Sequence, residues 1–130
     1  ESKYFHMYWR PLSAIPLADT DGNANTIMDA AWIPVVPTPN HPEYPSGHAC
    51  LNTAAMEVIR AHFGTTAVAF KMSSTVTGTQ HSYATTNAFV DELMMARIYG
   101  GMHFRSACVA GNGLGTSVGA WIAENKFRPL

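Results

Sequence analysis

The stretch His41-Pro42-Glu43-Tyr44-Pro45-Ser46-Gly47-His48 constrains this chain more than any other. Pro42 and Pro45 keep a helix from entering it, because proline lacks the N–H a helix interior needs and restricts the residue before it. Ser46 can then cap a new helix, its side-chain oxygen accepting a free N–H of the first turn. Ser46, Gly47 and His48 would thus lie at a helix N-terminus, where unpaired N–H donors and partial positive charge suit an anion. Gly47 lets the backbone come close to a ligand. His48 adds a ring that exchanges protons near neutral pH. Taken alone, plain capping explains such a tripeptide too.

Two other stretches give it company. Lys3 and Arg10-Pro11 stand near the start in the spacing K-x6-R-P, and Arg97 and His103 stand near the end in the spacing R-x5-H. An oxyanion such as phosphate spreads negative charge over several oxygens. Arginine forks grip such oxygens in pairs, and a lysine adds a point charge. Lys3, Arg10, Ser46, Gly47 and Arg97 can therefore make a cage for phosphate or an anion of the same shape. His48 and His103 could stand on opposite sides of the central atom, as in-line transfer requires.

The ordered set K-x6-R-P, P-S-G-H and R-x5-H resembles the signature shared by vanadium-dependent haloperoxidases and the type 2 phosphatidic acid phosphatase (PAP2) superfamily. The motifs run from residue 3 to residue 103 without gaps in their spacing. The resemblance implies a mainly α fold, a helical bundle of that type, and a cofactor site built from Lys3, Arg10, Ser46, Gly47, Arg97 and His103. In the haloperoxidase branch it implies that His103 ligates vanadium, that His48 exchanges protons at the apical oxygen, and that peroxide oxidises halide. In the phosphatase branch it implies that His103 attacks phosphorus to form a phosphohistidine and that His48 protonates the leaving oxygen of a phosphate monoester. The motifs alone do not choose. His41 matches a histidine of bromoperoxidase-type members within a nearly identical His-Pro-x-Tyr-Pro-Ser-Gly-His stretch, and Ala96 stands where phosphatase members often carry serine. Both lean toward the haloperoxidase. Where many members have a carboxylate four or five positions after the last histidine, this chain has Ala107 and Cys108. An anion-binding relative without turnover is the third reading.

Composition bounds the rest. A chain of 130 residues predicts one domain, and 47% hydrophobic content can fill a modest core. Charge is sparse at 13%, with a net charge of −1, which gives no footprint for nucleic acid. No apolar run reaches the roughly 18 to 20 residues that cross a bilayer. A soluble protein is expected, with secretion left open. The superfamily usually carries helices before its first motif, so the chain is expected to lack them, and packing against such segments or against another copy is left open.

Taken in order, Lys3–Trp9 reads as the end of a helix that carries Lys3 and Arg10 on one face. Residues 12–44 read as a long connection, stiffened by prolines toward its end and containing Asp19, Asp21 and Asn23, a faint likeness to a calcium loop. A helix from Ser46 to about residue 62 shows Leu51, Ala54, Ala55, Val58, Ile59 and Phe63 at helical spacing, with Gly64 as a stop. A small β-hairpin is expected near residues 67–84. Thr86 is the expected cap of a helix to Tyr99 with Phe89, Leu93 and Ala96 on one face. A last helix from about Arg105 to Glu124 carries Gly111, Gly115 and Gly119, a smooth face for another helix, unless these glycines break it. Cys50 and Cys108 read as free thiols sooner than as a disulfide. Met56, Met72, Met94 and Met95 read as core filler. His62 suits a helix end, and His6 and His81 show no partner.

Overall fold

A computed structural model describes residues 1–126. Two short helices open the chain, α1 (Ser2–His6) and α2 (Pro11–Ala14), followed by a 3-10 turn at Ala18–Thr20 and an irregular stretch. Then come α3 (Gly47–Phe63), strands β1 (Phe70–Ser73) and β2 (Gln80–Tyr83), α4 (Thr86–Tyr99) and α5 (Arg105–Asn125). The fold is mainly helical with one two-stranded antiparallel sheet, in which Phe70 faces Tyr83 and Ser73 faces Gln80.

The frame of the site is α3 laid against α5. A Cβ added at Gly111 would meet Ser46 O, one at Gly115 would meet Cys50 O and Thr53 Cβ, and one at Gly119 would meet Ala54 O and Glu57 Cβ. Contacts that advance together along both helices mean that α3 and α5 run parallel, so both begin at the same end of the molecule. The glycine face predicted from sequence is thus packed backbone to backbone, and α5 is unbroken.

That closeness corrects part of the predicted face of α3, in which Ala54 meets the glycines and Ile59 packs on the core cluster as expected while other positions do not. Its buried residues are Ala49, Thr53 and Met56, whereas Leu51 is 72% and Phe63 59% exposed. A glycine stripe admits only small neighbours, so the small residues turn inward and the large ones outward. A separate apolar cluster of Met56, Tyr83, Phe89 and Val90, with Phe70, Leu93 and Met94 against it, fastens the hairpin and α4 to α3. Ala96, expected on the buried face, is exposed, and Val90, which the spacing did not single out, is buried beside Phe89. Met72 is exposed on the hairpin and fills no core.

Ser46 caps α3, accepting from Ala49 N, and Gly64 ends it in the left-handed conformation at φ 65°. Thr85, one residue before the predicted cap, caps α4 by accepting from Ala88 N. Thr86 is buried and donates to Thr66 O while accepting from Arg60 Nε. At the start, α1 stops sooner than the sequence suggested. Met7 adopts φ 53°, ψ 31°, so Tyr8 to Arg10 leave the helix and Arg10 caps α2 instead. Lys3 and Arg10 therefore reach the same site from two separate helices, not from one face of a single helix. His81, expected to lack a partner, bonds Glu92 at 2.7 Å, and the Tyr83 hydroxyl donates to the same oxygen. Cys50 and Cys108 are free thiols. No helix among the described residues is long and apolar enough to cross a membrane.

Candidate oxyanion site at the paired helix starts

The residues picked out by the three motifs gather where α3 and α5 begin. Ser46 N donates to Ala107 O, which ties the two starts together. Arg10, only 6% exposed, is the hub. Its Nη1 donates to Met102 O at 2.7 Å and to His103 Nε2 at 3.1 Å. Its Nε donates to His41 O, and its Nη2 reaches His41 Nδ1 at 3.0 Å. His41 thus meets the site through Arg10. Lys3 Nζ donates to the carbonyls of Pro42, Glu43 and Pro45. All three ammonium protons are taken, so Lys3 clasps the loop that leads into α3 and lends the site its charge.

Arg97 comes from the last turn of α4. Its Nη2 donates to Met102 Sδ, and its Nε is buried without a partner. A buried donor left unmade is expensive. The amides of Gly47 and His48 precede the first bond inside α3, from Cys50 N to Ser46 O, so they stand free at the positive end of that helix. His48 lies close enough to Arg97, His103, Arg10 and His41 to feel the charge of each. Against the three cations stands one buried carboxylate, Glu43.

Glu43 is the part that the sequence did not announce. It is 1% exposed. Its Oε1 accepts from His103 Nδ1 at 2.8 Å and from Phe104 N at 2.9 Å, while its own N–H donates to Tyr8 O. The carboxylate missing after His103 is therefore supplied from the loop before α3, sixty residues earlier in the chain. The available signal was an acidic residue inside the proline-locked motif, yet nothing local says which way its side chain turns.

Hydrogen-bond direction fixes the His103 ring. Arginine can only donate, so Nε2 facing Arg10 Nη1 must carry a lone pair, and a carboxylate accepts, so Nδ1 carries the proton. Burial, the largest influence, lowers the pKa of His103 from 6.5; the Glu43 bond opposes this, and Arg10 and Lys3 add to the lowering. His48 is also lowered from 6.5, first by lost hydration and then by the charges of Arg97, His103, Arg10 and His41. A lowered folded-state value means that the unfolded chain binds more protons as the pH falls. The stability these two rings contribute is complete above pH 6.5 and is lost as the pH drops through their folded values. Thermal unfolding midpoints should thus be level near neutrality and decline below pH 6.5, before ordinary carboxylates titrate, with His48→Asn flattening the decline.

The donor set fits a tetrahedral oxyanion: an unpartnered arginine Nε, free amides at a helix start, and an excess of positive charge. The site thus sits at two parallel helix starts of a helical domain, with two histidines among an excess of cationic side chains. The chain belongs to the vanadium haloperoxidase/PAP2-like superfamily, for residues 1–129 match the family model of the VCPO second helical-bundle domain. Among solved structures, it is similar to the first bacterial vanadium-dependent iodoperoxidase, with 30% identity, a TM-score of 0.67, and coverage of 75% of this chain and 24% of that one. It is also similar to a bacterial vanadium-dependent chloroperoxidase in its holo form, with 25% identity, a TM-score of 0.62, and coverage of 80% and 25%. The chain thus spans about a quarter of the length of these structures. No curated protein matches it.

Proposed function

We propose that this domain holds vanadate and takes part in the oxidation of halide by hydrogen peroxide. One observation carries the reading: His103 offers an Nε2 lone pair beside Arg10, and Arg97, whose charge Arg10 feels, keeps a buried Nε without a partner. Arg97 would grip oxygens of the anion, with Arg10 and the Gly47 and His48 amides joining it and Lys3 adding charge through its clasp. His103 would be the ligand of the central atom. Vanadate bound there supplies the activation of peroxide that lets halide leave as a hypohalous species. His48, exposed and neutral at neutral pH, is suited to take a proton from incoming peroxide and to return it to a departing oxygen. His41 would keep Arg10 turned toward the site.

The same cage suits phosphate, and hydrolysis of phosphate monoesters is the competing reading. What favours the haloperoxidase is the His41 contact to Arg10 together with the iodoperoxidase and chloroperoxidase activities of the similar structures. The test is titration of the purified protein with orthovanadate, with peroxide-dependent bromide and iodide oxidation followed beside phosphomonoester hydrolysis. Halide oxidation that needs vanadate and disappears in His103→Ala is the expected result. Hydrolysis that vanadate abolishes would move the assignment to the phosphatase. Binding without either reaction would leave an anion-binding relative.

A further inference from the structure

The carboxylate behind His103 comes from an unexpected quarter of the chain, and its geometry is specific. Oε1 of Glu43 receives two N–H donors that belong to consecutive residues, the His103 ring at 2.8 Å and the Phe104 backbone at 2.9 Å. The backbone amide is fixed by the start of α5, so the oxygen cannot move without losing that bond. The ring is thereby held from its rear face while Arg10 Nη1 meets its front nitrogen at 3.1 Å. Glu43 is itself anchored through its own amide to Tyr8 O, and through its carbonyl to Lys3 Nζ at 2.9 Å.

We propose that Glu43 is the positioning residue for His103: it holds the proton on Nδ1 and sets the ring plane, so that the Nε2 lone pair faces Arg10 Nη1 and the anion that this arginine would bind. The assignment deepens the oxyanion reading above and rests on it only for its consequence in binding. Glutamine at 43 can do part of the work. Phe104 N–H needs an acceptor, which keeps an amide oxygen, not the NH2, at the shared position, and that oxygen can still accept from Nδ1. Its bond is weaker because a neutral acceptor replaces a charged one. Alanine removes the acceptor altogether and frees the ring to place its proton on either nitrogen.

The experiment is 15N correlation spectroscopy of the histidine rings at one fixed pH, with His103 assigned by its loss in His103→Ala. Wild type, Glu43→Gln and Glu43→Ala are compared, and the affinity of each for orthovanadate is measured alongside. In the wild type, Nδ1 should carry the proton and Nε2 should show the shift of an unprotonated nitrogen. Glu43→Gln should keep this pattern with the Nδ1 proton moved upfield, and Glu43→Ala should show mixed or inverted tautomers. Vanadate affinity should fall by about 10- to 100-fold in Glu43→Ala, the usual effect of losing a residue that orients a ligand, and by less in Glu43→Gln. An Nε2-protonated ring in the wild type, or an unchanged ring and affinity in Glu43→Ala, would overturn the assignment. Should Glu43→Ala fail to fold, an unmoved Nδ1 proton in Glu43→Gln overturns it equally. Wild type that binds no vanadate yet shows the expected tautomers would retire the oxyanion reading and leave Glu43 as the group that sets the ring.

Discussion

Gly115→Val should destabilise the protein by about 3 kcal/mol or more, or prevent folding, in thermal and urea unfolding. A Cβ at residue 115 would stand 2.3 Å from Cys50 O and 2.8 Å from Thr53 Cβ. The first of these is backbone within a helix, so no rotamer change relieves it. The helices must separate, and separation breaks the whole α3–α5 contact. Overpacking ordinarily costs about 1–3 kcal/mol where side chains can yield, and here they cannot. The control lies two residues away on the same helix. Gly113 has nothing within 4 Å of an added Cβ, so Gly113→Ala should stabilise by up to about 1 kcal/mol through helix propensity alone. Opposite signs at 113 and 115 would confirm that the close approach, not a general distaste for side chains in α5, makes the glycines necessary. Equal and mild effects at both would mean that the helices do not pack this way.

Arg97→Met should separate binding from stability. Arg97 keeps a buried Nε with no partner, and its charge disfavours that of Arg10. Both are unfavourable in the anion-free protein. Methionine fills comparable space without a charge, so the anion-free protein should be equally stable or more so. Anion binding should suffer greatly. Truncating one partner of a buried charged pair costs about 2–5 kcal/mol, which weakens affinity for orthophosphate or orthovanadate by at least about 30-fold. The readout is direct. At 100 times its Kd, a ligand that binds only the folded state stabilises it by about 2.7 kcal/mol. The wild type should show such a rise in thermal midpoint with added phosphate, and Arg97→Met should show almost none. A variant as responsive as wild type would remove Arg97 from the site.

The elements governed by local chemistry could be read from the chain. Ser46 as a cap, Gly64 as a stop, the short hairpin and the unbroken glycine helix all follow from single residues or short spacings, and all are present. The three motifs were legible because their spacings are short, and the fold brings them to one end. What escaped depends on distant partners. Glu43 and His103 are sixty residues apart, and no local rule pairs them. The inward face of α3 was misjudged because hydrophobicity ranks Leu51 above Ala49, whereas the glycines opposite leave room only for the smaller residue. The break after His6 escaped because Met7 enters the left-handed region without glycine's signal.

The glycine contact that joins α3 to α5 also acts as a gauge block. Gly111 sits under Ser46 O, about two turns along α5 from the segment that delivers His103, while His48 stands two residues along from Ser46. The interval between the two histidines is therefore set by backbone touching backbone, which has no alternative rotamers to slip into. A pocket walled by side chains can breathe with each rotamer hop; this one inherits the stiffness of two helices in contact. A methyl group placed at residue 111 would stand against Ser46 O and spread that interval from beneath.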